Sequence, residues 1–189
     1  MSSDVPRLSK EQRSALLRFV RERARQALEG TSAAPRRLNV VGRFGGAFVT
    51  LRRGSRLRGC VGRFESTTDI VETLAKVTLA SLDDPRFASC PITSEELGDI
   101  TIEVSLLTDP IPTDDPMSLV PGVHGIIVRR DGLSGCLLPK VAVERSWSAE
   151  AMLSHCCTMK AGLPANAWRS PEAEVLLFTA EVLSEATSD

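Results

Sequence analysis

The sequence predicts an α+β fold in which a mostly antiparallel sheet is flanked by helices, with room for a small subdomain. Segments in which apolar and polar residues alternate are mixed with segments whose apolar residues follow helical spacing. Links of hairpin length join the strand-like segments, whereas parallel strands would need long crossovers. The 189 residues suit one domain, which we expect to span residues 10–183 between flexible termini at 1–9 and 184–189.

The first predicted element is a helix that begins at a capping box. Ser9 and Gln12 have the S-x-x-Q spacing in which each side chain binds the other residue's backbone N–H. The apolar residues that follow at helical spacing, as far as Gly30, are Leu16, Phe19, Val20, Ala24, Ala27 and Leu28. Residues 31–37 are small and polar and include proline, so we expect a loop there.

A hairpin and a second helix follow. Residues 47–51 and 57–61 read as two strands around a turn at 54–55. Ser66 precedes the next helical pattern, and Asp69 stands three residues on as a capping-type acid. The inner stripe of this helix is Ile70, Leu74, Val77 and Leu82. The run Asp-Asp-Pro then stops it.

The second half of the chain contains the clearest strand. Residues 100–106 place four apolar side chains on one face and three polar ones on the other. A proline-rich loop then runs to residues 121–125. Residues 126–128 and 136–138 read as the arms of a hairpin around an Asp-Gly turn at 131–132.

The remaining predicted elements are a helix and a strand. Ser148 caps a helix that runs through Met159, and Gly162 ends it. Residues 176–182 alternate in a last strand. We expect one sheet that includes strands near 47–51, 100–106, 126–128 and 176–182.

Composition excludes several classes of function. The formal net charge is -1 and aromatic residues make up 4%, so we expect no sequence-specific binding of nucleic acid, despite arginines in the N-terminal third. No apolar run approaches the roughly 18 residues that span a bilayer, so no membrane association is expected. Five cysteines, without a C-x-x-C pair or a signal peptide, indicate reduced thiols and a cytoplasmic location.

The sequence contains none of the common cofactor motifs. A P-loop, G-x-G-x-x-G, H-E-x-x-H and a clustered His/Cys ligand set are all absent. We therefore predict no cofactor and no metal site, while a site formed together with a partner stays open.

Cys60 is the strongest candidate for a reactive or ligand-contacting residue. Gly59 and Gly62 frame it, and glycines let a ligand or another backbone approach closely. Arg58 and Arg63 lie within three positions and would favour the thiolate form. The alternative interpretation is a buried strand cysteine whose glycines serve packing. The residues leave both interpretations open.

Four further side chains are candidates. His124 lies in a Pro-Gly-Val-His-Gly turn, from which it would act as a general base or orient a substrate. Glu103, on the polar face of its strand, and Glu144 would orient that imidazole. Arg86 would bind a carboxylate or phosphate, together with Arg58 and the two glycines, or instead form a structural pair with a neighbouring aspartate.

Six ordered blocks of sequence resemble the AMMECR-one domain family. Each short string alone recurs by chance, but six in the same order are specific. The blocks are LRGCVGRF at 57–64, DPRF at 84–87, IEVSLL at 102–107, PGVHGIIV at 121–128, LLPKVAVERSW at 137–147 and KAGL at 160–163. The departures are Val61, where Ile is common, and Ser89-Cys90, where a proline is usual.

The resemblance implies a compact α+β domain with a mostly antiparallel sheet. It also implies Memo-like and radical-SAM proteins as partners, since similar domains occur fused to or encoded beside them, but it implies no settled activity. Two hypotheses follow. The first is an accessory or ligand-binding domain with a functional glycine-framed loop around Cys60, acting on an unknown small molecule or protein. The alternative is a cysteine-dependent enzyme with Cys60 as nucleophile and His124 as base.

Overall fold

A computed structural model describes residues 7–31, 38, 40 and 42–185 of the chain. The helices are α1 (Lys10–Leu28), α2 (Ile70–Leu82), α3 (Pro139–Glu144) and α4 (Ala149–His155). The strands are β1 (Phe44–Arg53), β2 (Arg56–Thr67), β3 (Ile100–Leu107), β4 (Ile111–Pro112), β5 (Gly125–Arg130), β6 (Leu133–Leu137), β7 (Glu174–Phe178) and β8 (Ala180–Ser184). The α+β prediction is confirmed.

The strands form two four-stranded sheets, where the sequence predicted one. Their orders are β2-β1-β3-β8 and β4-β7-β5-β6, and β1 pairs antiparallel with both β2 and β3. The predicted strand at 176–182 is in fact two strands in different sheets, with Thr179 between them. Thr108 forms hydrogen bonds with both backbone groups of Thr179. Its Oγ1 accepts from Thr179 N at 2.9 Å, and its N–H donates to Thr179 O at 3.1 Å. The apolar alternation of the sequence continues through Thr179, but the buried side changes in β8, where Val182 is exposed and Leu183 is buried.

The chain divides into two compact units. The first unit comprises the described residues of Val5–Leu107 and Glu181–Asp189, and the second comprises Thr108–Ala180. Each has its own hydrophobic core. Residues 1–6 and 186–189 of the predicted flexible termini lie outside the described residues.

The first unit packs α1 and α2 against one sheet. Ser9 and Gln12 form the predicted reciprocal cap of α1. Asp69 is the N-cap of α2, accepting from Glu72 N at 3.2 Å, whereas Ser66 still lies in β2. The core side chains from the two helices and the central strands are Leu16, Val20, Ala24, Leu74, Val77, Ala47, Val49, Leu51, Ile102, Val104 and Leu106.

The second unit contains the predicted hairpin. Asp131 and Gly132 have φ values of 52° and 77°, so both turn residues are left-handed, as the two-residue turn between β5 and β6 requires. The helix predicted to reach Met159 is α-helical only as far as His155. A π-helical turn over Cys156–Ala161 follows it directly. Gly162 ends that turn at φ 70°. Helix α3, which begins with a proline in its first turn, was not predicted.

No helix among the described residues has both the length and the apolar character needed to cross a bilayer.

Candidate functional site

Cys60 lies in β2, at the edge of the first unit's sheet, which confirms the strand predicted at 57–61. The glycine-framed segment around Cys60, proposed as a functional loop, is therefore part of this strand. Thr50 in β1 pairs in register with Cys60 on one side and with Glu103 in β3 on the other. Directly opposed residues point to the same face of a sheet, so the three side chains form one row. Thr50 Oγ1 lies 3.3 Å from Cys60 Sγ. The sheet thus brings a thiol, a hydroxyl and a carboxylate onto one face.

The backbone of Cys60 is held by an ion pair, which we call the Asp84–Arg86 clamp. Cys60 N donates to Asp84 Oδ2 at 3.0 Å, and Arg86 Nη2 donates to Cys60 O at 2.8 Å. Arg86 also binds both carboxylate oxygens of Asp84, at 3.0 and 2.5 Å. The clamp therefore takes the place of a neighbouring strand at this edge. The pair predicted between Arg86 and a neighbouring aspartate is observed, and binding of a carboxylate or phosphate ligand by Arg86 stays a prediction.

The two residues of the clamp differ in exposure and have shifted pKa values. Asp84 is 3% exposed, whereas the Arg86 side chain is 54% exposed. The hydrogen bonds from Arg86 lower the pKa of Asp84 to about 2, against the opposing effect of burial, and the Cys60 N–H contributes in the same direction. The bonds to Asp84 raise the pKa of Arg86. The clamp is therefore fully ionised at neutral pH.

Both glycines beside Cys60 are close-packed. A Cβ on Gly59 would lie 2.0 Å from the carbonyl oxygen of Ser81 in α2, and one on Gly62 would lie 2.1 Å from the ring of Phe48. These contacts match the packing interpretation of the glycines. Ligand binding by Gly59 and Gly62 stays a prediction.

Arg58 is the extra residue of a β-bulge. Leu51 pairs with Gly59 and Arg52 with Leu57, so Arg58 has no partner in β1. Its guanidinium, in a residue only 3% exposed, binds Glu96 at 2.8 and 2.6 Å. These bonds raise the pKa of Arg58 and lower that of Glu96. A charge paired in this way is less available to a ligand, and ligand binding by Arg58 stays a prediction.

Arg63, the other arginine expected to favour a thiolate, also has an acidic neighbour. Its Nη1 lies 3.2 Å from Glu65 Oε2, and both side chains are about half exposed. The guanidinium that touches Cys60 is instead that of Arg86, which lies 26 residues along the chain.

The other cysteines have different surroundings. Cys90 is exposed, Cys60 and Cys136 are partly exposed, and Cys156 and Cys157 are buried. Burial raises the pKa of Cys156 to about 12 and also raises that of Cys157. Cys90 is thus a second accessible thiol, which the sequence did not single out.

His124 and Glu144 belong to the second unit. Val120 N donates to His124 Nδ1 at 3.1 Å, so the neutral imidazole carries its proton on Nε2. Glu144 is the exposed last residue of α3. Pairing of Cys60 with His124, and orientation of the imidazole by Glu103 or Glu144, stay predictions.

Thr50 and the carboxylate of Asp84 are the contacts of Cys60 that sequence reasoning did not assign to it. Thr50 had a usable signal, because it is the polar residue of the predicted strand at 47–51. Asp84 lies in the DPRF block, directly before a proline, but neither feature indicates a bond to Cys60. Among the described residues, no group of three or more His, Cys, Asp or Glu side chains is placed to hold a metal ion.

Comparisons with known proteins identify relatives of this chain. Residues 13–183 match the AMMECR1 family, which the six sequence blocks resemble. Protein MK0488 of Methanopyrus kandleri is 44% identical over 149 residues, which cover 74% of this chain and 71% of that protein. A protein of Methanothermobacter thermautotrophicus is 42% identical over 147 residues, covering 74% and 75% of the two chains.

A solved structure has the same fold. The crystal structure of PH0010 from Pyrococcus horikoshii, described as an uncharacterized protein, matches with a TM-score of 0.85 and 34% identity. The match covers 94% of this chain and 93% of that one, so it includes both compact units.

Proposed function

Since the chain belongs to the AMMECR1 family, we propose that it is an accessory or ligand-binding domain whose contact group is the thiol of Cys60. One observation carries the proposal: the Asp84–Arg86 clamp fixes both backbone groups of Cys60 while its side chain stays partly exposed. A group held in place before binding loses little conformational freedom when a ligand arrives. The clamp thus supports a preorganised contact point on the edge strand.

The occupant in this proposal is a small molecule or a protein. Memo-like and radical-SAM proteins are the first candidates, because the family resemblance implies them as partners. The cytoplasm is the proposed setting, since a thiol contact requires a reducing compartment.

Protection from alkylation tests the proposal. The chain is treated with iodoacetamide alone and with a purified Memo-like or radical-SAM protein, and labelling of Cys60 and Cys90 is followed by peptide mapping. We expect a partner to slow labelling of Cys60 and to leave the exposed Cys90 unchanged. Unchanged labelling of Cys60 with every candidate contradicts these partners.

The alternative is a cysteine-dependent enzyme, and the contact between Thr50 and Cys60 favours it. The Thr50 hydroxyl, 3.3 Å from Sγ, is placed to donate to a thiolate. Cys60 would be the nucleophile and His124 the base, with Glu103 or Glu144 orienting the imidazole.

Timed alkylation at several pH values separates the two functions. Both predict that Cys60 labels before Cys136, Cys156 and Cys157, because burial holds the last two as unreactive thiols. The enzyme further predicts slower labelling of Cys60 in His124→Ala. Unchanged labelling in that variant rejects the dyad and leaves the binding function, whereas a Cys60 protected until unfolding contradicts both.

A further inference from the structure

A cavity in the second unit is lined in part by His124. It has a volume of about 250 Å³, and its apolar walls are Ile111, Pro112, Leu177 and Phe178. We propose that this cavity binds a small neutral molecule with an apolar body and a carbonyl-type oxygen that accepts a hydrogen bond from His124. This proposal does not rest on the binding function assigned to Cys60, but it uses His124, which is the base in the alternative enzyme.

The walls of the cavity are held by the sheet. Ile111 in β4 pairs with Leu177 in β7, which places the two side chains beside each other. Phe178 is 2% exposed, and its ring lies so close to Gly125 that a Cβ there would be 2.3 Å away. The wall formed by Phe178 is therefore fixed, as expected of a preformed site.

The hydrogen-bond donor of the site is Nε2–H of His124. Because Nδ1 accepts a hydrogen bond from Val120 N, the neutral ring carries its proton on Nε2, and the Nδ1 edge of the ring faces the loop that contains Val120. Thr113 Oγ1 is used locally, since it donates to Asp115 O and accepts from Asp115 N, whereas Thr108 Oγ1 accepts from Thr179 N and keeps its O–H as a second donor. We assign the ligand's acceptor atom to His124, because the bond at Nδ1 leaves Nε2–H as the donor of the ring.

The lining selects a neutral ligand. None of its eight residues is Asp, Glu, Lys or Arg, so a bound ion would lose hydration without gaining an opposite charge. The volume is just below the common range of about 300–1,000 Å³, which suits a compact molecule. A short branched amide combines this size with an apolar body and a carbonyl acceptor.

Isovaleramide and isovalerate are matched probes, since they share a carbon skeleton and differ in charge. Each is titrated into ¹⁵N-labelled protein while backbone amide shifts are recorded. We expect isovaleramide to move the amides of Leu177, Phe178 and Thr179 to saturation, and isovalerate to bind at least about tenfold more weakly. No saturable shift overturns the proposal, and equal binding of the two probes overturns its choice of a neutral ligand.

Variants locate the probe. Leu177→Trp fills the cavity and should abolish binding, with Ile111→Trp as a second filling variant at a half-exposed position if the first does not fold. His124→Phe keeps a ring but lacks the donor, and should weaken binding. Val143→Ala alters an exposed side chain outside the lining and should bind like the wild type. Undiminished binding in a folded filling variant overturns the proposal.

Discussion

At the scale of single residues, the carboxylate of Asp84 organises the surroundings of Cys60. It is almost fully buried, yet both of its oxygens accept hydrogen bonds, from Arg86 and from the backbone of Cys60. A buried carboxylate is stable only with such partners. The same residue therefore contributes both to the stability of the first unit and to the position of the thiol.

Asp84→Asn should lower the free energy of unfolding by about 2 kcal/mol at pH 7, because the charge-assisted bonds to Arg86 are lost. Urea denaturation measures the change. Asp83→Asn is the matched control, since Asp83 is the exposed neighbour, and it should change stability little. Equal losses in the two variants would contradict a special role for Asp84.

The effect of Asp84→Asn should also depend on pH. The pKa of Asp84 in the folded protein is about 2, below its ordinary value of 3.8, so the unfolded chain takes up this proton first as the pH falls. The stabilisation is therefore complete well above pH 3.8 and is lost as the pH falls through about 2. Urea denaturation at pH 7, 5 and 2 measures the free energy of unfolding of the wild type and the variant. The difference between the two free energies should be smaller only at pH 2.

At the scale of elements, the end of α2 is joined to the edge of the sheet. The hydroxyl of Ser81 accepts from Val61 N at 3.1 Å and lies 3.0 Å from the carbonyl oxygen of Val49, so it bridges β2 and β1. The absence of a side chain at Gly59 lets the carbonyl of Ser81 come close. The clamp follows two residues after α2, so the position of this helix end also positions Asp84.

Gly59→Ala tests this contact. The added Cβ would meet a backbone oxygen at 2.0 Å, so helix or strand must shift, and we expect a loss of about 3 kcal/mol in the free energy of unfolding. Gly98→Ala is the control, because its added Cβ meets nothing within 4 Å. Urea denaturation measures the free energy of unfolding of both variants. A Gly59→Ala protein as stable as Gly98→Ala would contradict the close contact.

At the scale of the whole molecule, the chain has two hydrophobic cores. Leu74 is fully buried in the first unit, and Leu153 is fully buried in the second. Each core is built from the helices and strands of its own unit. Local stability can therefore be tested separately in each.

Leu74→Ala and Leu153→Ala should each destabilise the protein by about 2–5 kcal/mol, because each leaves a cavity in a packed core. Hydrogen exchange followed by mass spectrometry should show faster exchange concentrated in residues 44–107 for Leu74→Ala and in residues 108–180 for Leu153→Ala. The same increase across both ranges in both variants would show that the two units open as one.

Features that depend on near neighbours in the chain could be predicted before the fold was known. The capping box at Ser9 and the Asp-Gly hairpin turn were predicted correctly, because each rests on hydrogen bonds or φ angles within about four residues. The alternation over residues 100–106 likewise identified β3 and its buried face. Cys60, Arg86 and Glu103 were chosen from their residue types, and the structure places all three in the first unit.

Contacts between residues that lie far apart in the chain became visible only in the folded protein. Asp84 binds the backbone of Cys60 across 24 residues, a contact that its place in the DPRF block does not reveal. The division into two sheets was equally hidden, since apolar alternation continues through Thr179 while the strands on either side pair with different partners. The alternation correctly indicated burial of Leu176 and Phe178 in β7, but β8 buries Leu183 and exposes Val182. The buried face and the partner of a strand depend on contacts that only the folded chain forms.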